Sequence, residues 1–406
     1  MDYQHIVSAF GIPGTFVSAT PFGSGHINDT LKVVMDTPEG EVDYILQKLN
    51  TNVFPDPDIL SENAFKVVEY LKGIIEARGG DVTRETLHFY PTADGKLYYK
   101  DSEGGCWRLE DIIKNTRSYD LCTSPEQFES TGFAFGSFMA DLAGFPADEL
   151  GEVIKNFHNT RVRFETFTKE VEANRSGRAD TCQEEIAFAL ARKELAETLV
   201  KQLDTGDLPL RVTHNDTKIN NILMDEKTDE PVCIIDLDTV MPGACAYDFG
   251  DSIRFGASSA EEDEKDLSKV FMRLDLFEAF TRGYMRAVGK TLTENEAKSL
   301  AIGSAVITFE TGIRFLGDYL NGDVYFKTAY PEHNLVRART QFKLVADMEQ
   351  KLPEMNRIVE KYYRQAKEIK MVSPKDFDVC VDGEMIKGNN FVVKVLPGAI
   401  KLVLPK

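Results

Sequence analysis

The chain has 406 residues, 42% of them apolar and 28% charged, and carries a formal net charge of −19. That length allows two or three separate cores. So acidic a surface repels nucleic acid and anionic membranes, which makes both poor partners. Met1-Asp2-Tyr3-Gln4-His5 has no basic or apolar signal character, and no stretch reads as apolar enough to span a bilayer. The cysteines at 106, 122, 182, 233, 245 and 380 form no C-x-x-C pair, so the expected location is the reducing cytoplasm.

From about residue 14 to 112 the pattern is β-rich. Leu31 to Met35 and Tyr44 to Leu49 read as strands joined by the turn Asp36-Thr37-Pro38-Glu39-Gly40. Ala64, Val67, Val68, Leu71, Ile74 and Ile75 recur at helical spacing, which predicts a helix from about Ser61 that stops at Gly79-Gly80. Lys96 to Tyr99 and Cys106 to Leu109 read as strands around the turn Asp101 to Gly105. Helical patterns then dominate: one through Phe128, Phe135, Phe138 and Leu142, then Ile186 to Leu203, Val270 to Val288, Glu294 to Leu320 and Leu335 to Lys370. Glu261 to Asp266 reads as a solvated helix start. Three short strands close the chain, at 377–381, 391–396 and 400–404, around Asp382-Gly383 and Pro397-Gly398. They are too small to fold alone and should dock on the body or pair with a second chain.

Between two of the helical runs lies the stretch with the clearest chemistry. Val212-Thr213-His214-Asn215-Asp216-Thr217-Lys218-Ile219-Asn220-Asn221 has the spacing H-x-D-x-x-x-x-N, and Ile234-Ile235-Asp236-Leu237-Asp238 follows. Apolar runs at 208–212, 221–224 and 232–235 flank it, so the segment reads as strand, loop, strand, turn, strand. Asp and Asn are common in turns, and a lone H-x-D means little. Set in this hairpin, the three groups are those that phosphoryl transfer from ATP requires. One carboxylate, Asp216, would orient the acceptor hydroxyl and take its proton, while Asn221 and Asp236 would hold Mg2+ on the phosphates. Lys218, Arg254 and Arg314 are available as local positive charge.

Other pieces fit an ATP site less completely. Gly23 and Gly25, ahead of the first long strand, let backbone amides approach phosphate, although a plain hairpin turn would look the same. The usual phosphate-binding lysine has no counterpart, because Gln47 stands in its place and Lys48 should point to the other face of the strand. Neither Glu62 nor Glu69 is marked out as a partner for it. Tyr247-Asp248-Phe249-Gly250 contains D-F-G, yet Asp236 already fills the metal position. Asp248 and Asp251 are expected to brace the catalytic loop or cap a helix to which Ser252 leads. Arg314 lies in a strongly apolar helix, which favours a buried or site-facing role over a surface ion pair. The expected fold is therefore α+β and bilobal, protein-kinase-like. A small β-rich lobe (1–112) would bind nucleotide, a larger helical lobe (113–371) would carry catalysis, and a β appendage (372–406) would follow.

Several segments together resemble a known family, the bacterial N-acetylhexosamine 1-kinases of the aminoglycoside-phosphotransferase-like superfamily. They are Gly25-His26-Ile27-Asn28, Tyr44 to Gln47, Thr213 to Lys218, Ile235 to Thr239, Asp248 to Ser258 and Tyr330 to Arg337. The resemblance runs from about residue 15 to 370 and extends to Gln47. It implies transfer of the ATP γ-phosphate to the anomeric hydroxyl of N-acetylglucosamine or N-acetylgalactosamine, with His26, Asp216, Phe255, Arg314 and Tyr325 contacting the sugar. Rival readings are a choline, homoserine or aminoglycoside kinase, or a nucleotide-binding regulator without turnover. Epimer preference, metal count and oligomeric state are not legible.

Overall fold

The computed structural model describes residues 1–23, 27–381 and 384–394. The chain opens with α1 (Tyr3–Ser8), followed by β1 (Thr15–Pro21), β2 (Asp29–Thr37) and β3 (Gly40–Leu49). Alternation along β2 buries Leu31, Val33 and Met35 beneath the sheet with Leu46, Trp107 and Leu109. The helix α2 (Pro57–Ala77) comes next, then α3 (Val82–Glu85), β4 (Phe89–Tyr90), β5 (Tyr99–Lys100) and β6 (Cys106–Asp111). The sheet order is β1-β2-β3-β6-β4, with β5 also on β6, and every pairing is antiparallel.

The α2 helix starts earlier than its apolar periodicity predicts. Asp56 caps it, accepting from the amides of Asp58 and Ile59, and Pro57 occupies the first turn, where its missing N–H costs nothing. Ala64, Val67, Val68, Leu71 and Ile75 pack against Phe138, Val212, Cys233, Leu237 and Val240, so α2 joins the sheet to the body. Asn63 reinforces the joint, donating to the carbonyls of Gly151 and Val240 at 2.8 Å each.

The body holds β7 (Thr116–Arg117), α4 (Pro125–Asp141), α5 (Thr160–Ala173), α6 (Gln183–Leu190), α7 (Lys193–Asp204), β8 (Arg211–Thr213), β9 (Ile222–Asp225), β10 (Pro231–Ile234) and β11 (Met241–Gly243). Then follow α8 (Cys245–Gly256), α9 (Leu274–Val288), α10 (Glu294–Asn321) and α11 (His333–Lys367). The expected single helix from Ile186 to Leu203 is two. Arg192 interrupts it, lying 3.4 Å over the Phe188 ring and pairing with Glu349 through Nε (3.0 Å) and Nη2 (2.8 Å). The acidic run at 261–266 does lead into a helix, a single 3-10 turn at Leu267–Lys269 capped by Asp266, and it is also a set of anchors: Glu262 pairs with Arg254 (3.0 Å) and Arg337 (3.7 Å), and Asp263 with His333 (3.3 Å).

The α10 helix is long and apolar enough by composition to cross a membrane, contrary to the reading of the sequence, and 83% of its most apolar window is buried inside the fold. It is apolar all round because it runs through the main core, where α5, α8 and α11 cover it. Beside it α4 and α9 approach closely: a Cβ on Gly283 would lie 1.9 Å from the carbonyl oxygen of Glu129.

The tail differs from the expected three short strands. Residues 368–381 and 384–394 form two long strands, β12 (Glu368–Val381) and β13 (Glu384–Lys394), which pair with each other. The expected third strand at 400–404 and the turn at 382–383 lie outside the described residues.

Candidate active site

The loop between β8 and β9 is held from below by α8. His214 N and Asn215 N each donate to the buried Asp248 carboxylate at 2.8 Å, and Thr217 N donates to Asp251 at 3.0 Å. Thr217 Oγ1 donates to the Asp248 carbonyl (2.7 Å), and Ser252 Oγ to that of Thr217 (2.9 Å). Asp248 and Asp251 therefore brace the loop, as expected. They do so from inside α8, which begins at Cys245, and not as caps of a helix starting near Ser252. Burial raises the Asp248 carboxyl against the pull of His214 and the two amides. At Asp251 burial is the largest single influence, but Arg254, Lys218 and His158 together outweigh it, and the carboxyl is held below its usual range.

This bracing turns the backbone at Asn215 into the left-handed region (φ 65°), which Asn tolerates better than most residues. The Asn215 amide donates to the carbonyls of Thr213 (3.2 Å) and Thr239 (2.8 Å). Asp216 is thereby presented with a partly exposed carboxylate. Its Oδ1 pairs with Lys218 Nζ at 2.7 Å, and its Oδ2 accepts from Asn221 Nδ2 at 3.1 Å. Asn221 Nδ2 also donates to the Asp216 carbonyl (2.8 Å) and locks the turn.

Asp236 follows β10 with φ 60°, so the chain turns sharply at the carboxylate. Dense surrounding protein, and then the like charges of Asp238 and Asp216, raise its carboxyl to about 7. The residue is nonetheless open to solvent, so water screens part of the burial effect, and the neighbouring carboxylates are the cause that survives. Among the described residues no three acidic, His or Cys side chains form a ready-made metal cage. Two mutually repelling carboxylates with an amide beside them suit magnesium, which keeps its waters and shares its ligands with substrate phosphates.

The cations sit differently from expectation. Lys218 is engaged by Asp216, and Arg254 is buried between Asp251 (3.1 Å) and Glu262 (3.0 Å). Lys48 does point to the other face, over the Trp107 ring (5.6 Å). Glu69 pairs with Lys72 at 2.6 Å and Glu62 with Lys66 at 3.9 Å, each within α2. Gln47 instead accepts from Arg108 Nη2 (2.6 Å), which also lies 2.7 Å from Asp238 Oδ1. Asn28 Nδ2 donates to the other Asp238 oxygen. Arg108 did not emerge from the sequence, although an Arg within the apolar run Cys106 to Leu109 was a usable signal.

Of the acceptor-side residues, Arg314 and Tyr325 come together. Arg314 on α10 lies 3.9 Å from the buried Glu310, which also contacts His158 Nδ1 at 3.2 Å. The rings of Phe157, Tyr325 and Phe326 stand 5.8, 5.9 and 5.6 Å from its guanidinium. Arg163 is near enough that burial and then the Arg314 charge depress its basicity. Tyr325 is exposed, held by its amide on Asp318 (2.8 Å), and Phe255 is half-buried near the end of α8. Gly23 has φ 75°, whereas Gly25 and His26 lie outside the described residues.

Two cavities flank α2, one of about 490 Å³ bounded by Leu71, Phe138 and Ile234 and one of about 750 Å³ near Asp58 and Tyr98. Neither holds Asp216, Asn221 or Asp236.

Residues 102–286 match the family model of the APH phosphotransferase enzyme family. Among solved structures the chain is similar to an aminoglycoside phosphotransferase from Alicyclobacillus acidocaldarius, with 15% identity, 88% of this chain and 96% of that chain covered, and a TM-score of 0.53. It is also similar to choline kinase from Cryptosporidium parvum (14% identity, 83% and 90% covered, TM-score 0.51). A third likeness is to spectinomycin phosphotransferase in complex with ADP and spectinomycin (12% identity, 87% and 98% covered, TM-score 0.51). The fold is thus the kinase-like α+β fold, with a sheet in the N-terminal region and a helical C-terminal part.

Proposed function

We propose that this protein is a small-molecule kinase that transfers the ATP γ-phosphate to the anomeric hydroxyl of an N-acetylhexosamine. The observation that carries the kinase reading is the Asp216 carboxylate, held by Asn221 and Lys218 beside Asp236 on a loop braced by Asp248 and Asp251. The phosphotransferase-family match across residues 102–286 supports it. Asp216 orients the acceptor hydroxyl and takes its proton. Asn221 and Asp236 would hold magnesium, which when bound spreads the phosphate charge. An anomeric hydroxyl is more acidic than an ordinary alcohol, so a carboxylate base is adequate.

For the acceptor, the Arg314 group supports a neutral polyhydroxyl ligand. Two guanidiniums stand close enough to act on each other: Arg314 lies 3.9 Å from Glu310, and Arg163 feels the charges of Glu310 and Glu170. A cation such as choline or a protonated aminoglycoside would meet like charge there. Sugar hydroxyls and an acetamide oxygen can accept from guanidinium, and the exposed Tyr325 ring offers an apolar face for a pyranose. The related choline and aminoglycoside kinases share the fold and leave the acceptor open.

The test is magnesium-dependent ADP release over N-acetylglucosamine, N-acetylgalactosamine, their 1-O-methyl glycosides, galactose, choline and an aminoglycoside. Turnover with the free N-acetylhexosamines and none with the methyl glycosides is expected. Turnover with choline or the aminoglycoside alone would overturn the sugar assignment and keep the kinase.

A further inference from the structure

Position 47 leaves the sheet without the cation that nucleotide phosphates require, and the structure has one on the neighbouring strand. Gln47 and Arg108 are direct cross-strand partners on β3 and β6, so their side chains share one face of the sheet. Arg108 is only 3% exposed. A single guanidinium nitrogen, Nη2, makes both of its polar contacts, to Gln47 and Asp238. The other two, Nε and Nη1, are buried and find no hydrogen-bond partner among the described residues, although the guanidinium lies 4.8 Å from the centre of the Phe89 ring. Buried donors are rarely left unpaired without a reason. The surroundings indicate what they await. Asp238 lies two residues beyond Asp236, whose charge acts on Arg108. Asn28 holds the other Asp238 oxygen.

We infer that Arg108 supplies the phosphate-binding cation in place of a lysine at position 47, with Gln47, Asp238 and Asn28 holding its guanidinium in register. The inference rests on the nucleotide-kinase reading above. Gln47 then has a definite duty. Its amide oxygen orients the arginine, a task that a lysine at that position could not perform beside another cation. Asp238 balances the buried charge until phosphate oxygens share it.

The test compares affinities for ADP and adenosine by calorimetry in EDTA, where Asp236 and Asn221 have no metal to hold. Wild-type protein is expected to prefer ADP. Arg108→Met should weaken ADP binding tenfold or more and leave adenosine binding unchanged, because only the phosphates lose their partner. Since that variant leaves the Asp238 charge buried without its cation, a second variant, Arg108→Met with Asp238→Asn, removes both charges, and the same fall in the ADP-to-adenosine ratio is expected. An unchanged ratio in whichever variant melts cooperatively, or an equal loss of both ligands, would overturn the inference and leave the kinase reading standing. A wild-type protein that binds neither ligand would overturn both.

Discussion

Asp248→Asn should uncouple the catalytic loop from its support. The native carboxylate accepts the amides of His214 and Asn215 at 2.8 Å each, at a site only 3% exposed. Asparagine offers one carbonyl oxygen and one NH2, so one amide keeps an acceptor and the other faces a donor. Losing a hydrogen bond to a charged acceptor costs about 1.5–3 kcal/mol, and stranding a buried N–H costs about 1–3 kcal/mol. Burial already disfavours the native charge, as its raised carboxyl indicates, so removing that charge returns part of the loss. A net local cost of about 3 kcal/mol remains, concentrated where Asn215 holds a φ of 65°. If that energy is what keeps Asp216 in line with its acceptor, turnover should fall by roughly a hundredfold, since 1.36 kcal/mol is tenfold in rate. The assay pairs turnover with amide hydrogen exchange at His214 and Asn215, whose protection should drop while that of α10 is retained. Turnover within about threefold of wild type, with both amides still protected, would refute the bracing argument.

Asp216→Asn keeps the shape of the loop and removes the base, so turnover should fall on the order of a hundredfold or more while the melting temperature stays close to wild type; unchanged turnover would sink the assignment of the base. Gly283→Ala should destabilise the fold by about 1–3 kcal/mol in denaturant melts, because the new methyl meets the Glu129 backbone and α9 must move off α4. Glu110 gives a pH signature. Burial, with Asp238 and Asp111 adding to it and Arg108 opposing, raises its carboxyl from 4.5 to about 7. The folded state thus holds a proton that the unfolded chain releases. This favours folding below about pH 4.5, and the advantage is lost as pH rises through 7. Glu110→Gln cannot ionise, so its stability relative to wild type should climb between those pH values by up to about 3 kcal/mol and then level off. A difference that stays flat from about pH 5 to pH 8 would show that Glu110 does not carry this linkage.

The loop that carries the proposed site was legible as a strand, loop and strand because His214, Asp216, Asn221 and Asp236 stand at the separations that phosphoryl transfer demands. The long helices were legible from periodicity, with α10 and α11 displaced by only a few residues from their expected ends. Tertiary partners decided the rest. No breaker residue marks the break at Arg192, which depends on Glu349 in a distant helix as well as on the nearby Phe188 ring. α5 escaped notice because its buried face is thin, with Phe164 and Phe167 as its large apolar residues. Arg108 was hidden for another reason: the lysine template looks along one strand, and although an Arg in an apolar run was a signal, its place across from Gln47 is a matter of strand register. The acidic run at 261–266 was read only in part: Asp266 does cap a helical turn, but the ion pairs of Glu262 and Asp263 with Arg254, Arg337 and His333 depend on distant elements.

The central claim is phosphorylation at the anomeric oxygen, and the identity of the phosphorylated carbon tests it most directly. The measurement is phosphorus–proton correlation NMR on the product formed from N-acetylglucosamine or N-acetylgalactosamine with ATP and magnesium. A single phosphorus signal coupled to the anomeric proton is predicted. Coupling to the protons on C3, C4 or C6, or no phosphorylated sugar at all, would contradict the account.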